Sequence, residues 1–160
     1  MPEFKFMSGE GRAMEVQEMI DEAIRFMKEE PKRTYKIMLG TDSALIDRVS
    51  ADFVTAIVIH RLGNGARYFW RRVELRPFHT LRDRIIREAM ISLEAAQKIL
   101  SFLKENGAPE FDFEIHVDVG QNGETKTMIQ ELVGMIRAND FEVKTKPESC
   151  AASSVADRHT

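Results

Sequence analysis

A chain of 160 residues, 43% hydrophobic and 31% charged, is long enough to bury the core of one domain and is not composed like a disordered protein. Its single cysteine, Cys150, excludes an internal disulfide and any multi-cysteine zinc cage, and no apolar run approaches the roughly 20 residues of a membrane span. The net charge of −3 argues against a generic basic coat for nucleic acid, and the start of the chain lacks a basic-then-apolar secretory pattern, so a cytoplasmic protein is expected.

Residues 1–12 read as a frayed lead-in, because Gly9 and Gly11 discourage regular structure. Ala13 to Glu29 reads as a helix, with Met19, Ala23, Phe26 and Met27 at helical spacing and Pro31 closing it. A first strand runs from about Tyr35 to Thr41 and delivers Asp42 in a Gly40-Thr41-Asp42-Ser43 turn. Ala51 to Arg61 is a second strand, and Gly63-Asn64-Gly65 reverses the chain into a third over Arg67 to Val73. Pro77 ends this antiparallel meander.

Thr80 can cap a long helix from about Leu81 to Lys104, with Asp83 in its first turn, and Gly107 and Pro109 end it. The fourth strand spans Phe111 to Gly120, where Phe113, Ile115 and Val117 alternate and the run ends in His116-Val117-Asp118-Val119-Gly120. A helix from about Glu124 to Ala138 follows, with Asn139 as a left-handed cap. Phe141 to Lys146 is a fifth strand, and Ala151 to His159 begins a last helix. The fold class expected is therefore α/β: three antiparallel strands, then two parallel crossovers, in a mixed five-stranded sheet with helices on both faces. Residues 1–34 form an extension and helix ahead of a domain over 35–160.

Two strands that each finish on an aspartate bring two carboxylates together if the fourth strand returns parallel beside the first. Like charges that close call for a cation between them. On the wheel of the long helix, Leu81, Ile85, Ser92, Ala96 and Ile99 lie within about 80° of Glu88, which puts this acid at the margin of the apolar stripe. Asp83 and Glu94 project to the other side. A carboxylate at a core margin needs a partner or a metal, and an ion pair with Arg84 is the bland alternative. Asp157 sits in a terminal run of small residues, and taken alone it reads as a solvent-facing aspartate. Eight arginines between Arg61 and Arg87, against Glu74 and Asp83, form either a phosphate-facing surface or a solvated face.

The Gly40-Thr41-Asp42-Ser43 turn, the His116-to-Gly120 signature and the terminal Ser154-Val155-Ala156-Asp157-Arg158-His159-Thr160 together resemble the YkuK family of bacterial proteins, which is regarded as related to ribonuclease H. The resemblance runs from about Tyr35 to the C-terminus. It implies a ribonuclease-H-like fold with a carboxylate cluster for divalent metal, and it places Asp42, Glu88, Asp118 and Asp157 at the positions of the superfamily's four acids. Asp83 is the rival to Glu88, since the superfamily's helical acid often lies nearer the helix start.

The mechanism so implied is two-metal hydrolysis of a phosphodiester in RNA, an RNA/DNA hybrid or structured DNA, with Mg2+ or Mn2+ suited to hard oxygen ligands. Asp42 would bridge the ions, Asp118 and Glu88 would complete one shell, and Asp157 the other. No convincing Ser-His-Asp or Cys-His arrangement competes. His159 is a candidate proton relay, although an i, i+2 pair on a helix diverges by about 200°. His116 reads as structural, His60 and His79 as exposed, and Lys126 and Lys146 as weak backbone contacts. Gly120 to Thr127 lacks the spacing of a nucleotide phosphate loop and reads as a strand-to-helix turn. Two alternatives stand beside the nuclease: a catalytically silent nucleic-acid-binding or scaffold module, and a phosphotransferase of actin-like architecture, which needs two such domains where this chain supplies one.

Overall fold

A computed structural model of the protein describes residues 5–119 and 126–146. The first elements are β1 (Lys5–Ser8) and β2 (Ala13–Glu15), where a frayed lead-in was expected. Gly11, at φ 89°, turns this hairpin instead of dissolving it, and the Ser8 hydroxyl accepts a hydrogen bond from the Arg12 amide at 3.0 Å. Phe6 and Met14 are paired across the hairpin and both are buried. α1 (Val16–Glu29) therefore starts three residues later than its periodicity suggested. The Glu18 carboxylate accepts from the Glu15 amide at its start, and Met19, Ile20, Ala23, Ile24, Phe26 and Met27 are its buried side chains.

β3 (Tyr35–Leu45), β4 (Ala51–Arg61) and β5 (Ala66–Leu75) form the expected antiparallel meander. β3 is longer than predicted and carries Asp42 within the strand, opposite Val54, so Gly40 to Ser43 is not a turn. The β-branched and aromatic residues of β4 hold that pairing through Leu45 and Ala51. Gly63 and Gly65 adopt positive φ at the β4–β5 reversal. α2 (Leu81–Glu105) opens on Thr80, whose hydroxyl accepts from the Asp83 amide at 3.0 Å.

β6 (Asp112–His116) runs parallel to β3, and β7 (Glu142–Lys144) runs parallel to β6. Between them lie a 3-10 turn, Lys126–Met128, and α3 (Ile129–Ala138). The left-handed residue after α3 is Asp140, at φ 66°, and not Asn139, whose φ is −99°. Asn139 instead closes the helix by donating its side-chain amide to the Met135 carbonyl at 2.9 Å.

The sheet is a seven-stranded mixed one in the order β2-β1-β5-β4-β3-β6-β7, two strands wider than expected because of the N-terminal hairpin. Alternation sorts its faces. Ile37, Leu39, Ile57, Ile59, Phe69, Ile115 and Val143 share one core with the buried side chains of α1, α2 and α3, so the three helices among the described residues occupy one face. The other face carries Met38, Val58 and Tyr68, with Val54, Ala56 and Trp70 alongside. The last helix expected over residues 151–159 lies outside the described residues. No helix among the described residues is long and apolar enough to cross a membrane.

Candidate active site

The register of the parallel pair does most of the positioning. Gly40 of β3 stands beside His116 of β6, so the step of two residues that leads to Asp42 on one strand leads to Asp118 on the other. Neighbouring strands are about 4.8 Å apart. Asp118 itself follows the end of β6, held between two buried anchors, Val117 and Val119. The Val117 amide donates to the Lys144 carbonyl at 3.0 Å, and the Lys146 amide donates to the Val119 carbonyl at 2.8 Å. That pairing brings the Lys146 ammonium to 2.9 Å from Asp118 Oδ1, and its bond to Asp118 raises the Lys146 pKa above the usual lysine range.

α2 crosses β3 on the helical face. Thr41 points into it, accepting a hydrogen bond from Ser92 Oγ at 2.8 Å and sharing another with the Thr55 hydroxyl at 2.9 Å. One turn nearer the start of α2 is Glu88, 7% exposed, where the wheel put it. The Ser43 hydroxyl donates to its Oε2 at 2.5 Å. Arg84 Nη1 donates in turn to the Ser43 hydroxyl and carbonyl oxygens at 3.2 and 3.3 Å. The arginine thus reaches Glu88 through a serine, in place of the direct ion pair weighed from sequence. Burial, joined by the charges of Asp42 and Asp118, pushes the Glu88 carboxyl up to about 8, against the opposing pull of the Ser43 bond and Arg84.

Glu88 and Asp118 meet at one tightly packed spot, with no room for a water, together with Thr41, Ser92, His116 and Leu132. Asp42 lies within electrostatic reach of both Glu88 and Lys146. These three acids are neighbours at one end of the sheet, but among the described residues no group of three acidic, histidine or cysteine side chains converges tightly enough to enclose an ion. Lys146 stands on Asp118. In type the donors fit Mg2+ or Mn2+: hard carboxylate oxygens, one of them too buried to hold its charge without a counter-ion.

Asp157, His159 and Cys150 lie outside the described residues, as does most of the Gly120-to-Thr127 loop. Asp83, the rival helical acid, is exposed and is engaged at the helix start through its amide. His79 is exposed and His60 half-buried. His116 is buried: its Nε2 is 2.8 Å from Glu114 Oε1, its Nδ1 has no hydrogen-bond partner among the described residues, and Lys36 approaches Glu114 Oε2 at 3.9 Å. Glu114 went unnoticed in the sequence, although its i, i+2 spacing from His116 on a strand was the signal that could have found it.

The arginines do not form one surface. Arg61 is buried, its guanidinium 3.9 Å from the Phe26 ring centroid, 2.8 Å from Glu30 Oε2 and 2.6 Å from the Phe26 carbonyl. Arg67 stacks on the same ring at 4.6 Å, and Arg82 pairs with Glu131 at 2.8 Å.

Comparison with known proteins follows the same elements. Residues 18–160 match the family described as Ribonuclease H-like. Over 168 aligned positions the chain is 34% identical to a protein of Bacillus subtilis (strain 168) named "Uncharacterized protein YkuK", an alignment that covers 98% of this chain and 97% of that one. A match of this extent takes in the long strand, the helix and the parallel neighbour that carry the acids, and the chain belongs to the ribonuclease H-like family.

Proposed function

We propose that the protein is a metal-dependent phosphodiester hydrolase acting on nucleic acid, with Asp42, Glu88, Asp118 and Asp157 holding two Mg2+ or Mn2+ ions. The observation that carries the proposal is Glu88, a buried acid set beside the charges of two aspartates, one on β3 and one just past the end of β6. A fold gains no stability from such a grouping, and a site for cations explains it. When bound, the ions supply Lewis acidity toward the scissile phosphate and acidify the attacking water. The chain's own groups then have definite tasks. Ser43 orients the Glu88 carboxylate, and Arg84 fixes Ser43. Lys146 pairs with Asp118 and, being more than half exposed, would also meet a substrate phosphate beside it.

The reading is tested by incubating the pure protein with Mn2+ and labelled RNA, DNA and hybrid substrates, beside an Asp118→Asn control. Cleavage that depends on Mn2+ and disappears in the control is expected; cleavage that survives in the control would assign the activity elsewhere. The Lys146–Asp118 pair favours one rival, a binding or scaffold module in which lysine permanently replaces the cation. Binding without turnover on every substrate, unaffected by Mn2+, would put that rival ahead.

A further inference from the structure

The β3–β4 ribbon outruns its parallel neighbour. β6 accompanies β3 only as far as Gly40, whereas the antiparallel ladder continues for five more residues, to Leu45 and Ala51. The ribbon thus carries on past the acids, and its end is stiff. The Ile46 amide donates to the Ser50 carbonyl at 2.9 Å, and Asp47 Oδ1 accepts from the Val49 and Ser50 amides at 2.9 and 2.8 Å. The Phe78 amide ties the turn to the start of α2 by donating to the Val49 carbonyl at 2.7 Å. Beneath it, Ala51, Phe53 and Phe78 form a buried cluster of their own, with the two rings 5.1 Å apart.

This braced turn presents two consecutive large apolar side chains to solvent: Leu45 is 55% exposed and Ile46 50%. Leu81, a turn before Arg84 on α2, is exposed as well. Charges of both signs accompany them, the exposed Asp47 carboxylate among them. Arg48 projects from the turn itself, Arg76 is within electrostatic reach of Asp47, and Arg84 is held on Ser43. Leu45 lies two residues beyond Ser43, about 7 Å along the strand, which is about two base-pair steps of a duplex.

Resting on the assignment of the acids to phosphodiester hydrolysis, we infer that the β3–β4 turn is a wedge, and that the preferred substrate is a nucleic acid whose stacking is interrupted near the cut, at a fork or branch, in preference to a continuous duplex. Arginines take the phosphates on either side, and leucine and isoleucine fill the step between bases that have come apart, as apolar wedges do.

The test compares forked and continuous duplexes of equal length, in DNA and in RNA–DNA hybrid, each with 2-aminopurine at the central step. Binding to the full chain is followed by anisotropy with Ca2+ in place of Mn2+. Wild type is expected to bind the forked form about tenfold more tightly and to brighten 2-aminopurine there. The Leu45→Ser/Ile46→Ser double variant, altered only at exposed positions, is expected to lose both the preference and the brightening while melting like wild type. Equal binding of both forms by wild type, or an unchanged preference in the double variant, overturns the wedge and leaves the hydrolase reading intact. Self-association abolished by the double variant, seen in sedimentation, overturns it too. Failure to bind any nucleic acid, with no cleavage in Mn2+, removes the hydrolase reading and the wedge with it.

Discussion

Glu88 is where the physical chemistry of the site concentrates. In the folded protein its carboxyl is held up at about 8 by burial and by the neighbouring Asp42 and Asp118, against an ordinary value of 4.5. A group whose pKa rises on folding stabilises the fold fully below its unfolded value, and that stability is lost as pH climbs through the folded one. In a chelator, wild type is therefore expected to lose on the order of a few kcal/mol between about pH 5 and pH 9, and Glu88→Gln, which stays neutral, is expected to remove most of that loss. Thermal melts of both proteins across this range check it, and parallel slopes would contradict it. Lys146 gives the complementary test. Its ion pair with Asp118 is exposed on the lysine side, so it is worth about 1 kcal/mol or less. Lys146→Ala is accordingly expected to tighten Mn2+ binding by about two- to fivefold, read by calorimetric titration.

At the scale of elements, α2 carries Glu88 and Arg84 to the strand that carries Asp42, and its start is set by one hydroxyl. Thr80→Ala removes the acceptor for the Asp83 amide and is expected to cost about 1 kcal/mol, lowering the melting temperature by about 2–4 °C. A Thr80→Ser variant keeps the acceptor and should melt close to wild type. Much of this was legible in the sequence because it is local: the cap, the wheel that put Glu88 at the buried margin and the glycines of the β4–β5 turn are all written within a few residues. The N-terminal hairpin was not, because Phe6 and Met14 look isolated until the edge of β5 offers them a sheet to join. Nor was the length of β3: Gly40 to Ser43 has the composition of a turn, and only pairing with β4 holds it extended.

For the whole molecule, the decisive contact is the parallel alignment of β3 with β6, between segments more than 70 residues apart. Alternation and the order of elements made that alignment expected, and the register fulfils it by bringing Asp42 and Asp118 to neighbouring positions. What no local pattern announced was the polar company the acids keep: Ser43 and Arg84 around Glu88, and Lys146 on Asp118. These contacts depend on long side chains meeting from separate elements, and sequence spacing does not specify where such chains end.

The shared use of these acids by a divalent ion is tested most directly by a Mn2+ titration followed by thermal melting, on wild type and on Asp42→Asn. At a hundred times its dissociation constant a single bound ion adds about 2.7 kcal/mol, so the melting temperature of wild type is expected to rise by about 5–10 °C and that of Asp42→Asn to move far less. No rise in wild type, or the same rise in both proteins, would contradict a metal site built on these residues.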